Sequence, residues 1–251
     1  MSDYNLGLVA LSYLLSVLGS YTALKLAAGM IHAEAKQRWP WMIGAAFALG
    51  GTGIWAMHFV GMLALNTPLD FGYDPLLTFA SLILAVAVIA VGLFVVAIKP
   101  QSLAALLLAG TITGLGVATM HYTGMAAMIM PGSMTHATPL VIVSVLIAVG
   151  AAICALWLAL HVSDTRLRVV SALIMGVAVC GMHYTGMAAM KLDFGLPQQL
   201  TLSDLQYQSA IGADTMAILI AVVAVASSIA LWLGTYSQFR KLERDKALMV
   251  N

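Results

Sequence analysis

Seven long apolar segments with almost no charge dominate this 251-residue chain. Only 8% of its residues are charged, whereas a soluble domain usually carries roughly 25%. Because so few charges cannot cover a water-exposed surface, much of the surface must face lipid. About 20 apolar residues cross a bilayer as a helix, so the sequence predicts an all-α integral membrane protein with seven transmembrane helices. We predict these helices at 5–29, 42–64, 76–98, 103–128, 139–161, 168–190 and 214–236.

Basic residues concentrate in alternate connections between these segments and in the C-terminal tail. They are Lys36, Arg38, Lys99, Arg166, Arg168, Arg240, Lys241, Arg244 and Lys246. The opposite connections hold only Lys191. Since basic loops stay in the cytoplasm, this pattern predicts an N-terminus outside and a C-terminus in the cytoplasm. The net charge of +1 gives no indication of a nucleic-acid partner, and we expect none.

Three of the predicted helices contain copies of one motif. The copies read WAMHFVGMLAL (55–65), ATMHYTGMAAM (118–128) and CGMHYTGMAAM (180–190). They place His58, His121 and His183 at successive offsets of 63 and 62 residues. A period of that length corresponds to one helical hairpin, so we predict three helical-hairpin repeats plus one extra helix.

Glycines accompany each histidine at fixed distances. One lies seven residues before it and another three residues after it, and the two sets are Gly51, Gly114, Gly176 and Gly61, Gly124, Gly186. On a helix these positions share a face with the histidine. Since glycines allow membrane helices to approach closely, we expect this face to point into the bundle, where the three histidines could converge at one depth.

The histidines and their neighbouring methionines suggest a metal site. Imidazole binds copper, zinc, iron and nickel, whereas a thioether favours Cu(I). Each histidine is preceded directly by one methionine and followed four residues later by another. The predicted ligands are therefore His58, His121, His183, Met57, Met62, Met120, Met125, Met182 and Met187. Copper is the preferred ion, with zinc, iron or haem as alternatives.

Several further residues belong to the motif copies or resemble its ligands. The hydroxyl groups of Tyr122, Thr123, Tyr184 and Thr185 are predicted to orient the imidazoles by hydrogen bonds. Copy one has Phe59 and Val60 instead, and Cys180 could add a thiolate in copy three. The other histidines have no repeat partners and are interpreted as ordinary surface residues: His32, His136 and His161.

With MHF at 57–59 and MHYT at 120–123 and 182–185, the chain resembles the MHYT family of bacterial membrane sensor domains. The resemblance implies a multi-pass sensor domain, residues 1–236, in the bacterial inner membrane. It also implies copper binding through His and Met, sensing of oxygen, CO or NO, and fusion to a cyclic di-GMP synthase or phosphodiesterase. Such output domains act in pairs, so a homodimer is expected. Residues 237–251 are then the start of a cytoplasmic signalling helix that leads to an effector absent from this chain.

Two other functions remain open at this point. A metal transporter or channel would use similar ligands, although no Asp or Glu lies inside the spans beyond Asp214 at the start of the last one. A haem-binding membrane protein would use two histidines on facing helices. Retinal is disfavoured because 214–236 contains no lysine. No nucleophile with a neighbouring base, phosphate loop or carboxylate pair is visible, so we expect no catalysis within this chain.

Overall fold

A computed structural model describes residues 4–33, 38–67, 71–130, 133–162, 164–193 and 210–249. Its helices are α1 (Leu6–His32), α2 (Arg38–Phe47), a π-helix (Ala48–Ala56), α3 (Met57–Leu63), α4 (Pro75–Ile98), α5 (Leu103–Ala126), α6 (Thr138–His161), α7 (Thr165–Ala189) and α8 (Ala213–Met249). The consecutive α2, π-helix and α3 together form the second span, Arg38–Leu63.

Seven helices among the described residues are long and apolar enough to cross a membrane, which confirms the predicted number. Their ends lie within about four residues of the predicted ones. The sixth span begins earlier than its apolar run because the side chain of Asp164 accepts hydrogen bonds from the backbone N–H groups of Arg166 and Leu167. Arg166, predicted in the connection before this span, therefore lies in the first turn of α7 together with Arg168, the predicted first residue of the span. The N-terminus-outside orientation stays a prediction of the charge pattern.

Six of the spans form a closed ring. Around the ring, the order of neighbouring helices is α1, the second span, α4, α5, α6 and α7. Helix α7 in turn packs against α1, which closes the ring. The seventh span, in α8, packs mainly against α1 and the second span. Its opposite face exposes Ile218, Val222 and Ile229, which are 64%, 60% and 52% exposed. This apolar face is available to lipid.

Backbone hydrogen bonds join the ring helices into three hairpins. The residues that precede α1, α4 and α6 donate their N–H groups to the carbonyl oxygens at the ends of the second span, α5 and α7. The donor–acceptor pairs are Asn5–Ala64 at 2.7 Å, Asp74–Ala127 at 2.7 Å and Ala137–Ala189 at 2.8 Å. The three hairpins are therefore α1 with the second span, α4 with α5 and α6 with α7, and α8 is the additional helix.

Short β-strands, which the all-α prediction missed, pair the two ends of a hairpin at the membrane face nearer the histidines. Strand β1 (Gly72–Tyr73) pairs antiparallel with β2 (Met128–Ile129), and β3 (Ser133–His136) pairs with β4 (Met190–Asp193). Tyr4 makes the corresponding bridge to Leu65. Strands of two to four residues are too short to produce an alternating sequence pattern, so they were not predictable from periodicity.

Buried serines on α1, α4 and α6 each bond to a side chain of the neighbouring hairpin, which closes the ring. Ser144 Oγ lies 2.7 Å from the hydroxyl of Tyr122, and Ser12 Oγ lies 2.9 Å from the hydroxyl of Tyr184. In copy one, Phe59 has no hydroxyl, and Ser81 Oγ instead accepts a hydrogen bond from Trp55 Nε1 at 3.0 Å. Each serine follows the bridging residue (Tyr4, Tyr73 or His136) by eight positions, a recurrence that was present in the sequence but not recognised.

We predict that Ser144→Ala lowers the free energy of unfolding by about 0.5–2 kcal/mol, because it removes one interhelical hydrogen bond inside the membrane. Denaturant unfolding of the purified protein measures this loss. Ser228→Ala is the matched control, since Ser228 is exposed and bonds only to Ala224 O of its own helix. The interpretation would be wrong if Tyr122→Phe cost the same with and without Ser144, because coupled partners must be non-additive.

Candidate metal centre

The three motif histidines meet at one point inside the ring. His58, His121 and His183 are 1%, 0% and 0% exposed. Their Nδ1 atoms form a triangle with sides of 3.1 Å (His58–His121), 3.1 Å (His58–His183) and 3.3 Å (His121–His183). We call these three Nδ1 atoms the histidine triangle. The motif helices (the second span, α5 and α7) therefore converge as the sequence predicted.

Hydrogen bonding alone cannot satisfy the histidine triangle. Each ring nitrogen of a neutral imidazole carries either a proton or a lone pair, so it is either a donor or an acceptor. The three neighbouring Nδ1 atoms can each be only a donor or an acceptor, so at least two of them must be of the same kind. Every choice of tautomers therefore leaves two protons or two lone pairs facing each other at close range in a buried site. A cation at the centre would instead accept all three lone pairs.

The size of the triangle fits a metal ion. Zinc–imidazole bonds are about 2.0 Å long, and tetrahedral coordination then separates two ligand nitrogens by about 3.3 Å. The observed separations of 3.1–3.3 Å match that value. Three imidazoles are a ligand set that suits copper, zinc and iron. The triangle could hold one metal ion.

Each imidazole rests against a glycine of another motif helix. A Cβ atom added to Gly124 would lie 2.3 Å from His58 Nε2, and one added to Gly186 would lie 2.2 Å from His121 Nε2. A Cβ on Gly61 would lie 2.2 Å from His183 Nε2. The glycines three residues after the histidines therefore provide the space for the imidazoles, in a cyclic arrangement. Each Nε2 atom has no hydrogen-bond partner among the described residues.

Aromatic rings cover the triangle on the side of the short strands. The residue after each histidine packs edge-on against its own imidazole, with ring centroids 4.8 Å apart for Phe59, 4.9 Å for Tyr122 and 4.8 Å for Tyr184. A second layer packs edge-on against the first, in the pairs Tyr73–Phe59, His136–Tyr122 and Tyr4–Tyr184. Burial raises the pKa of Tyr73, so its phenol stays protonated at neutral pH.

His136 is exposed, as predicted for a surface residue, but its position corresponds to that of Tyr73 and Tyr4 in the other two hairpins. It pairs with Met190 in β3–β4 as Tyr73 pairs with Met128 in β1–β2. His161 is exposed and stacks on Trp157, as expected of a surface residue. The side chain of His32 lies outside the described residues.

The expected hydrogen bonds from motif hydroxyls to the imidazoles are not formed. The hydroxyl groups of Tyr122 and Tyr184 bond to serines of neighbouring helices instead, and the imidazole nitrogens face each other or glycine. Thr123 and Thr185 are half-buried. Edge-on ring packing, rather than hydrogen bonds from the motif hydroxyl groups, holds the imidazoles. Cys180 is half-buried and does not belong to the histidine cluster.

The six predicted methionine ligands are all 0–2% exposed: Met57, Met62, Met120, Met125, Met182 and Met187. They lie on the three motif helices within about one turn of the histidines. Their burial fits both apolar packing and coordination, so their role as ligands stays a prediction.

The glycines seven residues before the histidines do not face the centre. A Cβ atom on Gly114 would lie 2.4 Å from the Cα atom of Val149 in α6, and one on Gly176 would lie 2.7 Å from a methyl group of Val17 in α1. These glycines therefore allow close contact between neighbouring ring helices. The prediction that both sets of glycines point into the bundle is therefore confirmed only for the glycines three residues after the histidines.

Copy one contains one more residue before its histidine than the other two copies do. The valines facing Gly114 and Gly176 follow Ser144 and Ser12 by five positions, and the corresponding Val86 lies against Gly50, not Gly51. The second span thus has one more residue between this glycine and its histidine, and the π-helix accommodates it. Gly51 consequently faces Val223 of α8, with 3.1 Å between its added Cβ and a valine methyl. The predicted equivalence of Gly51 with Gly114 and Gly176 is wrong for this reason.

We predict that Gly124→Ala destabilises the protein by about 1–3 kcal/mol, because its methyl group collides with His58 and the core cannot expand freely. Alanine is the better helix former by up to about 1 kcal/mol, so the collision must outweigh that gain. Gly181→Ala, in the same motif but with nothing within 4 Å of its added Cβ, is the control and should be neutral or stabilising. Equal unfolding midpoints for both variants would contradict the packing described.

Comparison with known proteins identifies a repeat that begins in each of the three motif helices. A family model described as MHYT, bacterial signalling protein N-terminal repeat, matches residues 51–110, 114–172 and 176–244. No solved structure matches the chain significantly.

Curated relatives include two proteins of Pseudomonas aeruginosa and one of Bacillus subtilis. The bifunctional diguanylate cyclase/cyclic di-GMP phosphodiesterase MucR is 44% identical over 200 residues, which are 78% of this chain and 29% of the relative. The cyclic di-GMP phosphodiesterase NbdA is 35% identical over 99% of this chain and 31% of the relative. The signaling protein YkoW is 31% identical over 74% of this chain and 24% of the relative. This chain spans about three tenths of the length of the first two, and it belongs to the MHYT family of bacterial multi-pass membrane signalling proteins.

Proposed function

We propose that this chain is a membrane sensor module that binds one metal ion at the histidine triangle and transmits a change in its ligation through α8. The single observation that carries the proposal is the set of three buried Nδ1 atoms at 3.1–3.3 Å, which hydrogen bonds alone cannot satisfy. A buried ionisable cluster in a membrane protein generally marks function, because it is costly to maintain without one.

Copper is the preferred ion because buried methionines lie within about one helical turn of each histidine. A side chain in a helix leans toward the preceding turn, so the methionine four residues after each histidine leans back toward it. Met62, Met125 and Met187 are therefore the stronger candidates for an additional sulfur ligand. Thioether sulfur favours Cu(I), whereas three nitrogens alone would also suit zinc.

The coordination number supports a gas or the ion itself as the signal. Three protein nitrogens leave at least one position of a four-coordinate ion open. A diatomic gas such as oxygen, NO or CO could occupy that position, and a methionine could leave or take it. Either exchange would alter the forces on the three motif helices. Signalling then requires two helix packings with different ligand affinity.

The output route follows from the contacts of α8. Among the motif helices, the second span provides its main contact, and Thr52 Oγ1 lies 2.6 Å from Ser227 Oγ and donates to Val223 O at 3.3 Å. Thr52 belongs to the π-helix, which ends at Ala56, two residues before His58. A π-helix is uncommon and frequently marks a functional site. A shift of His58 would therefore reach α8 directly.

The relatives support a cyclic di-GMP output. MucR and NbdA are named for cyclic di-GMP enzymes, and this chain matches about three tenths of each. We propose that 1–236 is the sensor domain, that 237–251 begins the signalling helix to such an effector, and that catalysis belongs to the effector. Inner-membrane location, an N-terminus outside and a homodimer complete the proposal.

The geometry disfavours a haem. Two axial ligands on opposite sides of an iron would be separated by about 4 Å, twice a metal–nitrogen bond. The three Nδ1 atoms are closer than that and form a triangle with no room for a macrocycle between them. A transporter would need further sites along a path, and the described residues hold no second cluster of this kind.

The metal proposal predicts one copper ion per chain in protein that has been washed with chelator and reloaded with Cu(I). His121→Ala should weaken metal binding by more than about 100-fold, since even replacing a residue that only hydrogen-bonds to a ligand lowers metal affinity about 10–100-fold. His136→Ala is the matched control, because this exposed histidine lies outside the triangle, and it should retain full metal content. Elemental analysis and competition titration measure both.

Met125→Leu separates copper from zinc, since leucine conserves volume but removes the sulfur. The ratio of Cu(I) to Zn²⁺ affinity should fall if the thioether is a ligand. A folded parent protein that retains no metal under any of these conditions would refute the sensor mechanism at the triangle.

The coupling proposal predicts that metal loading changes amide hydrogen exchange in 213–236 and that Thr52→Val abolishes this change without altering metal affinity. Valine keeps the shape but loses the hydroxyl that bonds Ser227 and Val223. Ser228→Ala, on the exposed face of the same helix, should leave the response intact. A full response in both Thr52→Val and Ser227→Ala would show that the signal does not pass through this contact.

A further inference from the structure

An apolar cavity lies on the axis of the ring, one helical turn from the histidines. Its volume is about 60 Å³, and all six ring helices contribute to its wall. Ile54, Val117 and Val179, each four residues before a motif histidine, form part of the wall on the motif helices. We call this space the axial cavity. It extends away from the aromatic layers toward the opposite membrane face, where Ala159 of α6 lines it.

The axial cavity is unsuited to water. A water molecule needs roughly 10–15 Å³ of accessible space and two to four polar partners. The space suffices, but the side chains lining it are alanine, leucine, isoleucine, valine and methionine, with one threonine. The hydroxyl of that residue, Thr113, already donates to Val88 O at 3.3 Å. Apolar cavities of this kind stay dry and take up xenon or small hydrocarbons.

Small side chains on α6 leave this space unfilled. Helix α6 contributes five alanines and one leucine, namely Ala148, Ala151, Ala152, Ala155, Ala159 and Leu156, whereas α4 contributes only the larger Ile89 and Leu93. An alanine side chain ends at Cβ and cannot extend into the space, so the gap persists where leucines would fill it. Because unfilled core volume is costly, the alanines forgo stability that larger side chains at the same positions would supply.

We propose that the axial cavity is a binding site for a small, uncharged, apolar molecule of the size of a dissolved gas. Its volume of about 60 Å³ exceeds that needed by one water and is well below the roughly 150 Å³ of a cavity that admits benzene. The site needs no metal, since its wall contains none of the three histidines. Met182 lines this wall, so an occupant contacts the residue that directly precedes His183 in the chain.

Xenon tests this site directly. Crystals of the full, metal-free chain are pressurised with xenon, and its anomalous scattering is located. We expect a xenon peak between Val117, Val179 and Ala152. The absence of a peak there, or ordered water or a lipid acyl chain filling the space, would overturn the proposal. Because the metal is absent, this outcome is independent of whether the histidine triangle binds copper.

Two filling variants and one control complete the test. Ala152→Leu and Val179→Phe reduce the cavity from different helices, so the peak should be lost in whichever variant folds, or in both. Gly150→Leu adds a side chain to the same helix as Ala152 but has nothing within 4 Å of its Cβ, and it should keep the peak. A xenon peak that persists at full height in a folded filling variant would place the binding elsewhere and refute the assignment.

Discussion

The whole arrangement depends on three imidazoles meeting at one buried point. Each ring nitrogen Nδ1 faces the other two at 3.1–3.3 Å, while the opposite nitrogen, Nε2, rests against a glycine of another motif helix. Such contact is possible only if three helices approach closely at the same depth. A side chain at any of those glycines would separate them, because its Cβ would lie 2.2–2.3 Å from an imidazole. The glycine and the histidine are thus one structural unit, repeated three times.

We call α1, α4 and α6 the outer helices of the ring. Each holds two motif helices in place, one by a backbone hydrogen bond and the other by a serine. A backbone hydrogen bond ties the start of each outer helix to the end of the motif helix in its own hairpin. A buried serine on the same outer helix bonds a tyrosine or tryptophan of the other adjacent motif helix. Because each outer helix bridges two motif helices, these contacts close the ring.

The additional residue in the second span breaks the threefold symmetry and has a consequence for signalling. It forces a π-helix just before His58 and turns Gly51 and Thr52 toward α8. Without that residue, the equivalent glycine would lie only between ring helices, as Gly114 and Gly176 do. The irregular copy is therefore the one that contacts the helix continuing beyond the ring. In the proposed sensor, a symmetric site acts on an asymmetric output.

The sequence by itself determined the seven spans, the repeat and the convergence of His58, His121 and His183, because hydropathy and period act through local helix geometry. It did not determine the cyclic pairing of imidazoles with glycines, the serine bonds or the packing of His136 on Tyr122, since these contacts join residues from different hairpins. The π-helix also escaped notice, because aligning the histidines hides one added residue before them. The axial cavity depends on how six helices leave volume unfilled, a property of tertiary packing that no single segment encodes.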